Sequence, residues 1–254
     1  METNEGRRPV AIEGASVLVT GTARGLGHEL VKAFLNAGCR QVLATFRSQA
    51  SADGSDLLAD SRVKAVVLDV TSDESVAAAA RAWPKLDILV NNAAVIANTP
   101  PLRAADLEGS RLEMETNYWG VLRMCRAFAP ALETSGRGAI VNILSLGALA
   151  NMPFCGTYCA SKAAALSATQ SIAAELAPRG VHVAAVFAGG IDTDMSHSSG
   201  RSGMFPADLM SAAIVESLGR GETMIYPCPA SRGISEVYAK APWEVAKRFA
   251  EVME

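Results

Sequence analysis

Residues 15–27 read ASVLVTGTARGLG. The stretch begins with a short apolar run that lacks two-residue alternation, which is typical of a strand buried on both faces. Gly21, Gly25 and Gly27 follow at once, and HELVKAFLNAG at 28–38 then has apolar residues at helical spacing. A strand, a glycine-rich turn and a helix in this order predict the first unit of an α/β fold.

The same alternation continues along the rest of the chain. Its further apolar runs also lack period-two alternation, so we expect a parallel sheet covered by helices on both sides. Strands are predicted at 41–46, 63–70, 86–93, 138–145, 181–187 and 222–227, and helices at 72–83, 110–134 and 155–177. We therefore predict an α/β fold with a single Rossmann-type, doubly wound parallel sheet of about seven strands, flanked by helices on both faces.

This pattern also predicts the domain organisation. Residues 1–14 are expected to form a partly ordered N-terminal tail, and residues 15–254 a single dinucleotide-binding and catalytic domain. The Gly- and Ser-rich segment at 196–208 interrupts the alternation, and we predict a substrate lid at about 190–210. The alternative for this segment is an ordinary surface loop.

Composition and charge argue against several classes of partner. The formal net charge is −3 and there is no run of basic residues, so no nucleic-acid partner is expected. No apolar segment reaches roughly eighteen residues, and the first residues lack the apolar core of a signal peptide. We predict a cytoplasmic protein with no membrane association. The spacing of the five cysteines fits no zinc pattern, and no metal site is predicted.

The stretch YCASK at 158–162 places a phenol and an ammonium one helical turn apart, on the same face. A cation beside Tyr158 would favour the phenolate and lower the pKa of the hydroxyl. The alternative is an ordinary surface Tyr–Lys pair, because short motifs match by chance. Cys155 and Cys159 flank the tyrosine at a spacing that could suit a metal or redox pair. Without nearby His or further Cys, small packing residues are the simpler interpretation.

The turn at 20–27 predicts a nucleotide site. Its glycines allow a tight turn and a close approach of the backbone to a ligand. The helix that follows would present free N–H groups and the positive end of its dipole to a pyrophosphate. A purely structural turn is the alternative, although the position between a strand and a helix favours the nucleotide.

Taken together, these motifs resemble the short-chain dehydrogenase/reductase family in its compact form. The resemblance covers about residues 15–195, and the motifs fall in the family's order. They are TGTARGLG at 20–27, LDVT at 68–71, NNAA at 91–94, NYWG at 117–120 and YCASK at 158–162. Ser145 and Tyr158 stand thirteen positions apart, the family's usual separation. Among family members, the chain is most similar to the NADP-type carbonyl reductases.

The resemblance implies a catalytic set of four residues. Ser145 would hold the substrate oxygen, and Tyr158 would donate or accept its proton. Lys162 would lower the pKa of Tyr158 and bind the nicotinamide ribose, and Asn117 would hold a water that links Lys162 to solvent. The structural alternatives are that Asn117 caps a kink and that Ser145 is a plain strand-end residue. The cofactor-binding residues implied are Thr20, Gly21, Arg24, Gly25, Leu26, Gly27, Arg47, Asp69, Val70, Asn92, Ala93, Ala94, Tyr158, Lys162, Gly189, Ile191 and Thr193.

Two positions depart from the family's usual pattern. Ala188 stands before Gly189, where the family usually has proline, and this could loosen the turn after the sixth strand. Leu144 stands where a second serine often precedes the catalytic one. With its neighbours Ile143 and Leu146, it favours an apolar substrate over a sugar.

The end of the second strand indicates which dinucleotide is bound. NAD-preferring members end this strand with an acidic residue that binds the adenosine ribose. Here Thr45 or Phe46 occupies that place, Arg47 follows, and Arg24 lies in the glycine turn. A guanidinium suits a phosphate, so the predicted cofactor is NADP(H). The alternative is that both arginines are solvated surface residues.

The resemblance implies an NADP-dependent oxidoreductase that reduces a ketone or aldehyde, or oxidises an alcohol in reverse. The partner would be a small carbonyl or alcohol substrate, apolar in character. Reduction of an imine, an enone or a cyclic biosynthetic intermediate is one alternative, and a non-catalytic, nucleotide-sensing regulator is another. The helices at 110–134 and 155–177 are expected to pair copies of the chain into a homodimer or homotetramer.

Overall fold

A computed structural model of the chain describes residues 8–192 and 204–251. The described strands are β1 (Ser16–Val19), β2 (Gln41–Phe46), β3 (Val63–Val67), β4 (Ile88–Asn91), β5 (Ala139–Ile143), β6 (His182–Val186), β7 (Ile191–Asp192), β8 (Phe205–Pro206) and β9 (Met224–Ile225). Seven of them form one sheet in the order β3-β2-β1-β4-β5-β6-β9, and all its pairs are parallel. The predicted doubly wound parallel sheet is therefore confirmed.

The described helices are α1 (Gly25–Asn36), α2 (Gln49–Asp53), α3 (Asp73–Ala82), α4 (Glu108–Met114), α5 (Gly120–Ser135), α6 (Gly156–Leu176), α7 (Ala207–Gly219), α8 (Pro229–Lys240) and α9 (Pro242–Ala250). A π-helical turn at Glu115–Trp119 joins α4 to α5, where the sequence predicted one uninterrupted helix at 110–134. Sequence reasoning assigned no element to α2, α7, α8 or α9. In α7 the buried Met210, Ile214 and Leu218 recur at four-residue spacing, and this spacing in the sequence would have predicted the helix.

The sheet separates two apolar layers. Val17 and Val19 of β1 belong to the layer that α1 and α7 cover, whereas Leu18 belongs to the layer under α3, α5 and α6. All three side chains are fully buried. Burial of both faces explains why the strand sequences are apolar without alternation. Each such aliphatic side chain stabilises the fold by about 1.5–3 kcal/mol.

The segment before β1 takes part in the core. Val10 and Ile12 are both buried in the layer beneath α1 and α7, although residues 1–14 were predicted to be a tail. Ile12 lies against Gly219 at the end of α7, which explains why its apolar side chain leaves solvent. No helix within the residues described is both long and apolar enough to span a membrane.

Most of the predicted lid at about 190–210 lies outside the described residues. Its two ends are adjacent, because β7 pairs with β8 and the Phe205 N–H donates to the Gly190 carbonyl over 3.0 Å. Residues 207–210 are not loop but the first turn of α7, and Met210 is fully buried. The last four residues of the predicted lid therefore belong to a helix packed on the core, and the lid itself stays a prediction.

Candidate active site

A cleft of about 970 Å³ lies at the carboxyl ends of the strands. It is centred on β1, which lies between β2 and β4. The strand order reverses here, because β2 and β3 follow on one side of β1 and β4 begins the other side. Clefts at such switch points bind ligands in open α/β sheets. The predicted site residues that line it are Gly21, Arg24, Gly25, Leu26, Gly27, Arg47, Asp69, Val70, Asn92, Ala93, Ala94, Ser145, Tyr158, Lys162, Gly189 and Ile191.

Of the predicted site residues that the structure describes, Thr20 and Asn117 do not line the cleft. Thr193 lies outside the described residues. Thr20 is buried, and its hydroxyl accepts from the backbone N–H groups of Asn92 and Ala93, each over 2.9 Å. Thr20 therefore joins the glycine turn to the segment after β4, and its side chain does not face the cleft. Asn117 is also fully buried, behind the wall of the cleft.

The glycine turn is packed too closely to accept side chains. Gly21 has φ +70°, and a Cβ there would lie 2.9 Å from the Ala93 Cα. A Cβ on Gly27 would lie 2.1 Å from the Gly21 carbonyl oxygen. The Asn92 amide donates to the carbonyls of Thr20 and Gly21 at 2.9 and 3.0 Å, which holds the turn against β4. The backbone of the turn thus forms one wall of the cleft.

The amino end of α1 suits an anionic ligand. The helix begins at Gly25, and Arg24 before it makes no side-chain cap. The first turn carries no acidic residue. The first N–H groups of a helix lack partners within the helix, and the dipole there favours negative charge. The glycine cradle and this uncapped end together fit the pyrophosphate of a dinucleotide.

We expect Gly27→Ala to destabilise the protein. The new methyl group would meet the Gly21 carbonyl and the Asn92 amide, so α1 would have to move away from the turn. Overpacking of this kind costs about 1–3 kcal/mol. Thermal unfolding measures the effect, with Gly233→Ala in α8 as the control because a Cβ there meets nothing within 4 Å. Equal melting temperatures for the two variants would contradict the close packing of the turn.

The structure shows which residue at the end of β2 is exposed at the cleft. Thr45 is buried, and its hydroxyl accepts from the Gly21 N–H over 3.1 Å. Phe46 is buried too, whereas Arg47 is exposed and lines the cleft with Arg24. Sequence reasoning had named Thr45 only as an occupant of the acid's place, and its role in bracing the glycine turn was missed. Only its neighbours in space identify that role.

Asp69 is held by its own loop at the end of β3. One carboxylate oxygen accepts from the Thr71 N–H at 2.9 Å and from the Thr71 hydroxyl at 2.7 Å. These bonds, with a contribution from the charge of Arg47, lower the pKa of Asp69. Among the described residues that line the cleft, Asp69 is the one carboxylate, against the cations Arg24, Arg47 and Lys162. The charge of the cleft therefore favours an anionic ligand.

Ser145, Tyr158 and Lys162 meet at the opposite end of the cleft. Ser145 follows β5, and its hydroxyl accepts from the Gly147 N–H over 3.0 Å. Lys162 is buried, and its ammonium donates to the carbonyl of Ile143 at the end of β5 over 2.9 Å. The same nitrogen lies 5.8 Å from the centre of the Tyr158 ring. Tyr158 and Lys162, which follow Ser145 by thirteen and seventeen positions in the chain, therefore lie around the same point as Ser145.

Burial governs the protonation of this cluster. It raises the pKa of Tyr158 above its ordinary value of about 10, and a hydrogen bond with Ser145 opposes the rise. Burial also lowers the pKa of Lys162 to about 8. The net shift is opposite to the lowering that was expected from Lys162, because burial is the largest cause acting on the pKa of Tyr158. One N–H group of the Lys162 ammonium donates to the Ile143 carbonyl, and the loss of water around Tyr158 disfavours its phenolate.

Asn117 lies in the π-helical turn between α4 and α5. Its amide accepts from the Val95 N–H and donates to the Val95 carbonyl, each over 2.9 Å. The same amide nitrogen donates to the Ser161 hydroxyl over 2.9 Å. Asn117 therefore joins the loop after β4 to α6, directly beside Lys162. A π-helical turn often marks a functional site, because it redirects side chains and frees a carbonyl.

The two departures from the family's pattern are accommodated by packing. Ala188 is buried, and its carbonyl accepts from the Leu146 N–H over 3.0 Å, so the turn after β6 is held without proline. Leu144 is buried against Phe187 and lines the cleft. Val95, Ile96 and Leu112 line it too and were not predicted. The wall near Tyr158 is therefore apolar.

Within residues 8–192 and 204–251, no three His, Cys, Asp or Glu side chains are grouped as metal ligands would be. The sulfur atoms of Cys155 and Cys159 lie 3.8 Å apart and both residues are buried. Both thiols lie close to Tyr158, and the interpretation of them as packing residues stays a prediction.

Comparison with known proteins agrees with this geometry. A model of the short chain dehydrogenase family matches residues 15–202. A short chain dehydrogenase from Burkholderia cenocepacia J2315, solved in complex with NADP, is 39% identical; the alignment covers 94% of this chain and 98% of that chain, with a TM-score of 0.87. Short chain dehydrogenase mpl6 of Monascus purpureus is 30% identical over 95% of this chain and 85% of its own length. A sorbitol dehydrogenase of Cereibacter sphaeroides is 33% identical over 83% of this chain and 80% of its own.

Proposed function

We propose, from the premise that this chain belongs to the short-chain dehydrogenase family, that it is an NADP(H)-dependent oxidoreductase that reduces a ketone or aldehyde. The observation that carries the proposal is the meeting of Ser145, Tyr158 and Lys162 at one end of a cleft whose other end is a glycine cradle. A proton donor, a hydrogen-bond donor and a cation at one point are what carbonyl reduction requires of the protein. The reverse reaction would oxidise the corresponding alcohol.

The cofactor is NADP(H). The cradle at Gly21 and Gly27 and the amino end of α1 would hold its pyrophosphate, and Arg24 and Arg47 would face its second phosphate. The Burkholderia relative was solved with NADP. When bound, the nicotinamide supplies a hydride to the substrate carbon, or accepts one in the reverse direction.

Each residue of the cluster has a separate task in carbonyl reduction. The Ser145 hydroxyl donates a hydrogen bond to the carbonyl oxygen and so fixes its position. Tyr158 gives that oxygen its proton, and its raised pKa means that the phenol carries the proton at neutral pH. Lys162 in its charged form stabilises the phenolate that remains. Asn117 keeps α6, which carries both residues, in register with the loop after β4.

The protonation state of Tyr158 suits reduction. Oxidation of an alcohol would need Tyr158 as a phenolate, and burial makes that form costly at neutral pH. The protonated phenol, which reduction requires, is therefore the form present near neutrality. An apolar substrate suits the wall formed by Val95, Ile96, Leu112 and Leu144. The sugar-alcohol activity in the name of the Cereibacter relative is therefore not carried over to this chain.

The proposal is tested by measuring NADPH oxidation with a panel of carbonyls. The panel contains apolar ketones and aldehydes, open-chain sugars, imines and enones, and NADPH binding is followed separately by fluorescence. We expect turnover with apolar carbonyls and weaker turnover with sugars. Turnover confined to imines or enones would support the alternative reaction on the same site. NADPH binding with no turnover on any compound would support a nucleotide-sensing regulator instead.

We expect kcat/KM for carbonyl reduction to fall as pH rises through about 8. The charged form of Lys162 is the active one, and burial lowers its pKa to about 8. Below that pH the ammonium is retained; above it the charge is lost, and the rate should fall about tenfold per pH unit. The measurement is kcat/KM from about pH 6 to about pH 10, with circular dichroism at each pH to exclude unfolding. A flat profile up to about pH 10 would contradict the assignment to Lys162.

We also propose that the chain forms a homodimer or homotetramer through the helices at 110–134 and 155–177. The outer face of α6 exposes small side chains, including Ala160, Ala163 and Ala174, which would allow two helices to approach closely. Trp119, at the end of the π-helical turn, is 47% exposed. Light scattering at micromolar concentration tests the proposal, and a monomer would overturn it.

A further inference from the structure

Glu113 on α4 is a fully buried carboxylate that no sequence motif singled out. One of its oxygens accepts from the Ala97 N–H over 2.7 Å, and the other accepts from the Thr157 hydroxyl over 2.6 Å. Among the ion pairs formed by the described residues, none includes Glu113. The carboxylate is therefore satisfied by hydrogen bonds, which are strong when the acceptor is charged.

The two partners of Glu113 place it directly behind the catalytic cluster. Thr157 precedes Tyr158 on α6, and Ala97 lies between Ile96 and Asn98, which both line the cleft. Glu113 thus joins a wall of the substrate cleft to the helical turn that carries the proton donor. Gly109, one turn earlier on α4, permits this approach, because a Cβ there would lie 2.8 Å from the Ala97 Cβ.

Glu113 and Asn117 act as two parallel links between the same elements. They are four residues apart on the helix, and so are their partners on α6, Thr157 and Ser161. Thr157 directly precedes Tyr158, and Ser161 directly precedes Lys162. Asn117 holds Val95 in the loop after β4 as Glu113 holds Ala97. Each link therefore fixes one residue of the loop and one neighbour of a catalytic side chain.

Stability alone does not explain a carboxylate at this position. A buried charge without a cation costs several kcal/mol of desolvation, and an apolar side chain of similar size is often as stable or more so. The charge is also felt at the phenol: burial is the main cause that raises the pKa of Tyr158, and the charge of Glu113 adds to it. A group that is costly to bury and linked to the cluster on two sides is better explained by function.

We propose that Glu113 is a positioning residue, which holds Tyr158 in place through Thr157 and holds the cleft wall in place through Ala97. The inference rests on the proposed reduction of carbonyls. Glu113 touches no reacting atom, so its removal acts on the rate through the placement of the proton donor. Its hydrogen-bond partners, Ala97 and Thr157, lie outside the glycine turn, so we expect the binding of NADPH to be independent of it.

Three substitutions separate the two links from the charge. Thr157→Val keeps the shape of the side chain and removes the hydroxyl that Glu113 accepts from. Glu113→Leu removes both links. Glu113→Gln removes only the charge, because its amide can accept from the Ala97 N–H and donate to the Thr157 hydroxyl. That hydroxyl can then turn to the Thr99 carbonyl, which lies 3.2 Å away. Glu108→Gln, exposed on the same helix, is the control.

The readouts are kcat, the KM for the carbonyl and the Kd of NADPH. We expect Thr157→Val and Glu113→Leu to lower kcat by about 10- to 100-fold, as misplacement of a catalytic group does. The Kd of NADPH should stay within about twofold, and Glu113→Gln should keep kcat within about fivefold of the wild type. If Glu113→Leu fails to fold, the kcat of Thr157→Val is compared with that of Glu113→Gln, and this pair tests the same role.

The outcomes distinguish this inference from the proposed function. An active wild type with Thr157→Val at full kcat would overturn the positioning role of Glu113 and leave the proposed function standing. So would losses in all variants that match a loss of NADPH binding, because general unfolding of the cleft would then explain them. A wild type that binds NADPH but reduces no carbonyl would overturn the proposed function, and this inference with it.

Discussion

Tyr158→Phe is expected to lower kcat for carbonyl reduction by at least about 10²- to 10⁴-fold, the usual contribution of a general acid. The substitution removes one hydroxyl and keeps the ring, which lies between Ser145 and Lys162 at the end of the cleft. Neither neighbour is placed in the same way: Ser145 is a weaker acid than an ordinary phenol, and the Lys162 ammonium is held at the Ile143 carbonyl by one of its N–H groups.

Cofactor binding separates this loss from damage to the fold. The Kd of NADPH should stay within about threefold in Tyr158→Phe, because the glycine cradle and both arginines are unchanged. A group that acts as part of a set can cost more than its own share, so the full loss is measured in single-turnover experiments. Tyr238→Phe in α8, outside the cleft, is the control and should keep full activity. More than a few per cent of wild-type kcat in Tyr158→Phe would exclude Tyr158 as the acid.

Arg47→Asp is expected to abolish or invert the preference of the wild type for NADPH. The wild type should favour NADPH over NADH by at least about tenfold in kcat/KM, a difference of about 1.4 kcal/mol. One charge-assisted contact between a guanidinium and a phosphate can supply that much. Aspartate at the end of β2 would repel the phosphate, and it could instead accept from the ribose hydroxyls of NADH.

The control for this prediction lies next to the same strand. Arg40, just before β2, is exposed at the opposite end and does not line the cleft. Arg40→Asp makes the same change in net charge, so it reports any effect of overall charge on cofactor binding. Both variants and the wild type are titrated with NADPH and NADH at fixed ionic strength. Equal use of both cofactors by the wild type would contradict the assignment of NADP(H). An unchanged ratio in Arg47→Asp would show instead that Arg24 or another group binds the phosphate.

The fold class and the cleft could be predicted because they depend on local chemistry. The run SVLV in β1 is apolar on both sides, and burial on both faces is what a parallel sheet with two helical layers provides. The glycines at 21 and 27 indicated a backbone in close contact, and a Cβ at either would collide with a neighbour. Since the carboxyl ends of parallel strands meet at one edge, residues distant in sequence could be assigned to one cleft.

The contacts behind the cleft could not be predicted from sequence. Thr20 and Asn117 belong to the family's motifs, yet both are buried braces, and Glu113 belonged to no motif at all. Their roles depend on Ala93, Val95 and other partners in distant segments of the chain. The spacing of residues along one helix or strand does not reveal such partners. The ends of the predicted lid are a similar case, because the burial of Met210 was decided by α1 and the sheet.

The sequence by itself determined which chemical groups this protein brings to its site: a glycine turn for a pyrophosphate, two arginines, and a phenol one helical turn from an ammonium. Those identities follow from residue type and spacing along single elements. Only the tertiary structure decided their protonation and their placement. Burial raises the pKa of Tyr158 and lowers that of Lys162 to about 8. The physical reason is that desolvation depends on everything packed around a group, and that surrounding is assembled from the whole chain.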